Sequence, residues 1–250
     1  MDFTEHDLAS EESMWALYER WCTHYMVGHD LGEKACRFNA FKENARLIHQ
    51  FNQGDPPYKQ SLNRFGDTTD GETRSVYSCC RVTPHRMFDD KKHQVGFMHG
   101  TIAVRDLPVA VDWHEVGGLD GRLGAVTRAK DQGPDCGCCW AFAATAAVES
   151  INAIKTKNLM SLSEEQRVDW DIDNLGCNVA SSNQGLRLHH KEWRHRVRGL
   201  LPAVTAQPVV VTVEANEVPF KRYRGGVFRG PCGTNLGHAM TLVGYGTRLR

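Results

Sequence analysis

The run Cys136-Gly137-Cys138-Cys139-Trp140-Ala141-Phe142 fixes the start of a helix. It leads into Ala143-Ala144-Thr145-Ala146-Ala147, dominated by the strongest helix former, so a helix is expected from Cys139 to about Lys155. Cys139 then sits on the first turn. N–H groups there have no intrahelical acceptor and carry the positive end of the helix dipole. That environment favours a thiolate, which is the nucleophilic form of cysteine. The Cys139 N–H is also placed to donate to an oxyanion, and Gln132, upstream in a glycine-containing loop, is a second donor. A cysteine in an alanine-rich helix is more often buried and inert, so Cys139 needs a base before it counts as a nucleophile. His238 is the candidate. It follows Gly230-Pro231-Cys232-Gly233 and opens an apolar strand.

The N-terminal third reads as two helices. In the first, Glu11 to Val27, Trp15, Tyr18, Trp21 and Tyr25 recur at three- and four-residue spacing. Gly28 and Gly32 bracket a turn. The second helix runs from Glu33 to about Asn52 and is stopped by Gly54-Asp55-Pro56-Pro57. Residues 83–106 are charged, rich in histidine and without strong periodicity, the character of a linker. Val111 to Gln132 is a glycine-rich loop region. Ser163, three residues before Gln166, marks a capped helix start. Strands are expected at Pro208–Val213 and His238–Tyr245. Helices first and strands late give the α+β class.

Composition narrows the function classes. Thirty basic residues balance thirty acidic ones, so no global charge favours nucleic acid. No run of eighteen apolar residues is present, so no membrane span is expected. The first residues are polar and acidic, and no signal peptide is visible. Nine cysteines is an odd number, which leaves at least one thiol free or paired outside the chain. Cys136 and Cys139 also have a C-x-x-C spacing. A redox pair would want a βαβ context and a zinc site a second cysteine pair, and neither is evident.

The block Gln132 to Phe142 resembles the active-site signature of papain-like cysteine proteases. Val111-Asp112-Trp113 resembles the start of the mature enzyme. Leu162 to Gln166 resembles the helix after the catalytic one. Gly225 to Gly233 with His238-Ala239 resembles the histidine region. Glu33, Arg37, Phe41, Asn44, Ile48 and Asn52 fall at the spacing of the ERFNIN helix of the family's prodomain, and Asn63, Phe65 and Asp67 match the short motif after it. An ordinary amphipathic helix would explain Phe41 and Ile48 but not the polar set.

The resemblance implies a helical prodomain over 10–70, a linker and activation segment over 71–106, and a papain-like domain over 107–250. That domain would have a helical left half and an incomplete β-rich right half. It implies that the prodomain threads the cleft in the unproductive direction, with cleavage between about Phe97 and Pro108. Cys139 would be the nucleophile, His238 the base and acid, and Gln132 the oxyanion donor. Peptide bonds would be hydrolysed through an acyl-enzyme on sulfur. Gly176-Cys177-Asn178 matches the loop whose cysteine pairs near the nucleophile, which implies a Cys136–Cys177 disulfide. Substrates would be proteins or peptides. No cofactor, metal, nucleic acid or membrane is implied, and a monomer is expected. The compartment would be lysosome or vacuole, or the exterior.

Several positions depart from the pattern. Cys139 and His238 lie ninety-nine residues apart, against about 130–150 in the family. The shortfall falls between Leu188 and Leu201, where the basic run His189–Arg198 stands. One extra residue separates Gln132 from Cys139, Gly237 replaces an acid or amide, and Trp170 stands at an expected disulfide cysteine. Val116–Gly124 carries an insertion. The sequence ends at Arg250, twelve residues past His238 and before the asparagine that orients the imidazole in the family. Impaired turnover is expected from that, since loss of an orienting group can cost orders of magnitude in rate. The expected function is a cysteine endopeptidase zymogen. The alternatives are an impaired homologue whose prodomain inhibits cysteine proteases, or a non-functional copy.

Overall fold

The computed structural model describes residues 1–72, 104–115, 124–133, 136–170, 177 and 197–246. Most of the expected linker, residues 116–123 of the insertion, residues 189–196 of the basic run and the start of the cleavage region lie outside the described residues. Helices dominate the N-terminal part and short antiparallel strands the C-terminal part, the α+β arrangement expected. One unit is Met1–Tyr77 with Glu214–Thr234, and the other is Ser78–Val213 with Asn235–Arg250.

The first unit is built on two helices, α1 (Glu11–Tyr25) and α2 (Leu31–Gln53). Ser10 caps α1, its hydroxyl accepting the Ser13 N–H, and Asp30 caps α2 by accepting from Glu33. The left-handed position that ends α1 is Met26, not Gly28, and Gly32 lies inside α2. The cap at Asp30 moves the helix start two residues ahead of expectation. The α1 stripe buries Met14, Leu17, Tyr18 and Trp21 completely against Phe38, Phe41, Ala45 and Ile48 of α2. Trp15 remains 37% exposed. Gly66 lies flat under Trp21, where a Cβ would come within 2.7 Å of the indole nitrogen.

The expected polar set is what holds the loop after α2. Asn44 donates to the carbonyls of Gly66 and Thr68, both at 2.9 Å. Asn52 donates to Gln60 O and accepts the Gln60 N–H, at 2.8 and 3.0 Å. Arg37 pairs with Glu33 at 3.3 Å and Glu72 at 2.7 Å. Asn63 accepts the Phe65 N–H, while its carbonyl accepts the Trp21 indole N–H. Buried Asp67 accepts from Tyr18 at 3.2 Å and meets His29 at 2.7 Å. Burial and that carboxylate push the Tyr18 hydroxyl well above its usual range.

The same unit contains strand β1 (Tyr58–Gln60) and, later in the chain, helix α6 (Val218–Lys221) and strand β4 (Tyr223–Gly226). β1 and β4 pair antiparallel, with Tyr58 opposite Gly226. A three-residue strand beside prolines carries no periodic signal, and β1 was not expected from sequence.

The second unit contains β2 (Val111–Asp112), α3 (Cys139–Thr156), α4 (Glu164–Trp170), α5 (Val197–Ala206), β3 (Val209–Val213), β5 (His238–Leu242) and β6 (Gly244–Tyr245). β3 and β5 pair antiparallel from Val209↔Leu242 to Val213↔His238. The single strand expected from His238 to Tyr245 is two strands. β6 leaves β3 and pairs instead with β2. Val243 between them accepts the Trp113 N–H at 2.9 Å, and a Cβ on Gly244 would collide with the Val111 carbonyl. Helix α5 tolerates Pro202 and buries Ala203 and Val204 against Val209. No helix among the described residues is long and apolar enough to cross a membrane.

Candidate active site

Cys138 is the N-cap of α3, and its carbonyl accepts from Ala141 and Phe142 at 2.8 and 3.2 Å. Cys139 is therefore the first helical residue, and its N–H precedes the first intrahelical hydrogen bond. The two adjacent thiols go to different clusters. Cys138 packs with Trp140 and Ala141 near Cys136, Phe142 and Val168. Cys139 packs with Ala143, one helical turn on, and with Ala239 of β5.

The β5 strand reaches the sulfur. The Ala239 N–H donates to Cys139 Sγ at 3.5 Å. Ala239 directly follows His238, so β5 brings the backbone of the histidine to the nucleophile candidate. His238 opens the strand opposite Val213, and the next N–H back, from Gly237, donates to Val213 O at 3.2 Å. The histidine backbone is thus held between β3 on one side of it in sequence and Cys139 Sγ on the other. His238 is half-buried.

Gln132 lies in the loop before α3, and its side-chain amide donates to Cys136 O at 3.2 Å. Gly133 turns the chain there with φ of 73°, a conformation that favours glycine. Cys136 is disulfide-bonded to Cys177, and Gly137 N donates to Cys177 O at 3.1 Å. The disulfide implied by the sequence is thus present and lies three residues ahead of Cys139.

A buried network missed in the sequence holds this region from behind. Glu149, on α3 and 1% exposed, accepts from Lys130 at 2.8 Å, Thr127 at 2.8 Å and Leu162 N at 2.7 Å. Lys130 also reaches Glu164 at 2.5 Å and Leu162 O at 3.1 Å. Burial would push the Glu149 carboxyl up, but these donors outweigh it and hold it below its usual value. The network ties the Gln132 loop, α3 and the start of α4 together. The signal for it was a lone carboxylate in an alanine-rich helix, since a buried charge must find a partner. Among the described residues no cluster of histidine, cysteine or carboxylate side chains is arranged to hold a metal ion.

This geometry can be set beside known proteins. The profile described as papain family cysteine protease matches residues 107–198 and 189–249. Its two segments meet at 189–198, where the Cys139–His238 distance along the chain is short. The cathepsin propeptide inhibitor domain profile matches residues 18–73. Vignain of Vigna mungo is 40% identical over 284 aligned positions, covering 98% of this chain and 76% of the relative. The alignment is longer than the chain, so stretches of vignain have no counterpart here. The KDEL-tailed cysteine endopeptidase CEP2 of Arabidopsis thaliana is 36% identical, covering 98% of this chain and 76% of the relative. Among solved structures, the proform of the ragweed pollen allergen Amb a 11, a cysteine protease, superposes with a TM-score of 0.79. It is 30% identical, covering 99% of this chain and 84% of that one. A recombinant stem bromelain precursor gives 0.67 at 32% identity, over 94% and 83% of the two chains.

Proposed function

The chain belongs to the papain family of cysteine proteases and carries that family's propeptide, and on that premise we propose that Cys139, His238 and Gln132 are its catalytic residues. His238 takes the thiol proton and Cys139 Sγ attacks the scissile carbonyl carbon. The Cys139 N–H and the Gln132 amide donate to the oxyanion. An amide nitrogen carries two hydrogens, so Gln132 can hold Cys136 O with one and serve the oxyanion with the other. Collapse expels the amine, which takes the proton from His238 and leaves a thioester. Water activated by His238 then hydrolyses the thioester.

The observation that carries this reading is the 3.5 Å hydrogen bond from Ala239 to Cys139 Sγ. It joins the residue beside the histidine to a sulfur at a helix N-terminus. Matches to both propeptide and peptidase favour a zymogen over an inhibitor alone. In this reading residues 10–70 inhibit by lying along the cleft, 71–106 are the activation segment, and 107–250 act as a monomeric peptidase on protein or peptide substrates. A structural disulfide and a KDEL-tailed relative favour the secretory route, with vacuole, lysosome or the exterior as destination.

The test is mass-spectrometric labelling of acid-treated full chain with an epoxysuccinyl affinity reagent. Modification at Cys139, absent in Cys139→Ala, is the expected result. No modification of a folded, processed protein would overturn the assignment.

A further inference from the structure

β1 lies on a surface formed by residues 220–230. β4 supplies a strand edge, and its neighbours supply the hydrogen bonds. Val227 N donates to Pro57 O and Ser61 N donates to Arg222 O, both at 2.9 Å. The Asn63 side-chain amide donates to Lys221 O. Tyr58 is 5% exposed; one side of its ring packs on Phe51 of α2 at 4.9 Å, and the rest lies 4.8 Å from Phe228 and 6.4 Å from Tyr223. Phe220 packs edge-on against Phe228 at 5.3 Å and backs the pocket. Gly226, at φ 102°, lets the two backbones meet, since a Cβ there would stand about 2.5 Å from Pro57 O.

Strand pairing gives affinity with little demand on sequence, while a side-chain pocket gives choice. If the chain is a zymogen, as proposed above, removal of the propeptide uncovers both the strand edge and the aromatic pocket. An open edge of this kind is a template for another extended segment. We propose that the Lys221–Gly230 surface of the processed enzyme is a docking site for protein substrates. Its occupant is an extended segment carrying an aromatic residue preceded by proline, with a backbone N–H three residues after the ring. The chain's own Pro57-Tyr58-Lys59-Gln60-Ser61 is the template, seated there in the structure. Proline before the ring costs nothing, because the hydrogen bond at that position uses its carbonyl. Proline three residues after the ring would lose the bond to Arg222.

The test uses the full chain with Tyr58→Ala and Ser61→Pro, which removes the aromatic anchor and one hydrogen bond of the resident segment. A fluorescein-labelled peptide with the sequence of residues 56–63 is titrated in, and fluorescence polarisation is read. Saturable binding is expected, weakened about tenfold or more by Gly226→Val, by Phe228→Ala, or by alanine in place of the peptide's tyrosine. No saturation up to about 1 mM, or binding indifferent to those changes, overturns the proposal. Dimerisation of the variant with no peptide binding also overturns it, because a second copy would then own the surface. Should the double variant not fold, Tyr58→Ala alone carries the titration. The readout needs no turnover, so an inactive chain would count against the catalytic assignment and leave this test intact.

Discussion

Adjacent positions 138 and 139 carry the same thiol, and the helix start separates their fates. Cys138, with φ −95° and ψ 22°, closes the first turn through its carbonyl and turns its side chain toward Trp140 and Cys136. Its Sγ lies 3.8 Å from Cys136 O. Cys139 turns toward Ala143 and the β5 strand. A chemical distinction follows from that divergence. Cys138→Ser is expected to leave labelling of Cys139 within about twofold of the parent chain and to lower stability by about 1 kcal/mol. Cys139→Ser is expected to abolish labelling, because a serine hydroxyl is not ionised at a helix N-terminus. Peptide mapping of the labelled variants decides it, and modification that follows position 138 would sink the assignment. The sequence could single out Cys139 from the alanine run behind it. It could not show that Cys138 faces away, because the direction of an N-cap side chain depends on dihedrals set by the disulfide loop before it.

At the level of the element, α2 shows why polar residues recur at fixed positions in a helix. Phe41 and Ile48 fill the α1 interface, which any amphipathic helix would do. Asn44 lies on the same buried side and satisfies backbone that has no strand or helix to use. Its oxygen accepts from Arg222 at 2.5 Å, and its amide holds two loop carbonyls. Arg222 is 9% exposed, and burial pushes its guanidinium below the usual range. Removing Asn44 takes one hydrogen bond each from two loop carbonyls and from a buried cation, which keeps Asp70 at 3.3 Å. Asn44→Ala should therefore cost about 3–5 kcal/mol, as much as Phe41→Ala, although far less apolar surface is lost. Urea denaturation of both variants tests this. A loss below about 1 kcal/mol for Asn44→Ala would mean that its partners find water instead. The spacing of these residues was legible in the sequence as a motif. The reason for it was not, since the partners lie at 66, 68 and 222, beyond the reach of any local pattern. The same limit explains the split between β5 and β6. The apolar run reads as one strand, and only the close approach of Val111 to Gly244 shows where it changes partner.

For the molecule as a whole, the question is what keeps the Cys139 helix anchored as pH falls. The Cys136–Cys177 disulfide closes a loop of 41 residues, which contains all of α3 and α4. Loop closure on that scale is worth about 4 kcal/mol by the chain-entropy estimate, and it does not depend on pH. The Glu149 network does. Because the folded carboxyl is held below its ordinary value of 4.5, its contribution is present above pH 4.5 and is lost only as pH falls through the depressed folded value. Lys130 works in the opposite sense. Burial opposes its charge, but Glu149 and Glu164 outweigh that and raise it above 10.5, so its share is complete below that value and fades only in strong alkali. Together they leave the anchor intact from mildly acid to neutral pH. Glu149→Gln keeps the shape and removes the charge. It is expected to lower stability at pH 7 by about 2 kcal/mol, because Lys130 loses one of its two carboxylates and keeps Glu164. It should also flatten the fall in urea midpoint between pH 5 and pH 3. A variant with the parent's acid slope would show that other carboxylates set the acid limit. A flattened slope would show that the charge behind α3 sets how far the pH can fall before Cys139 loses its helix.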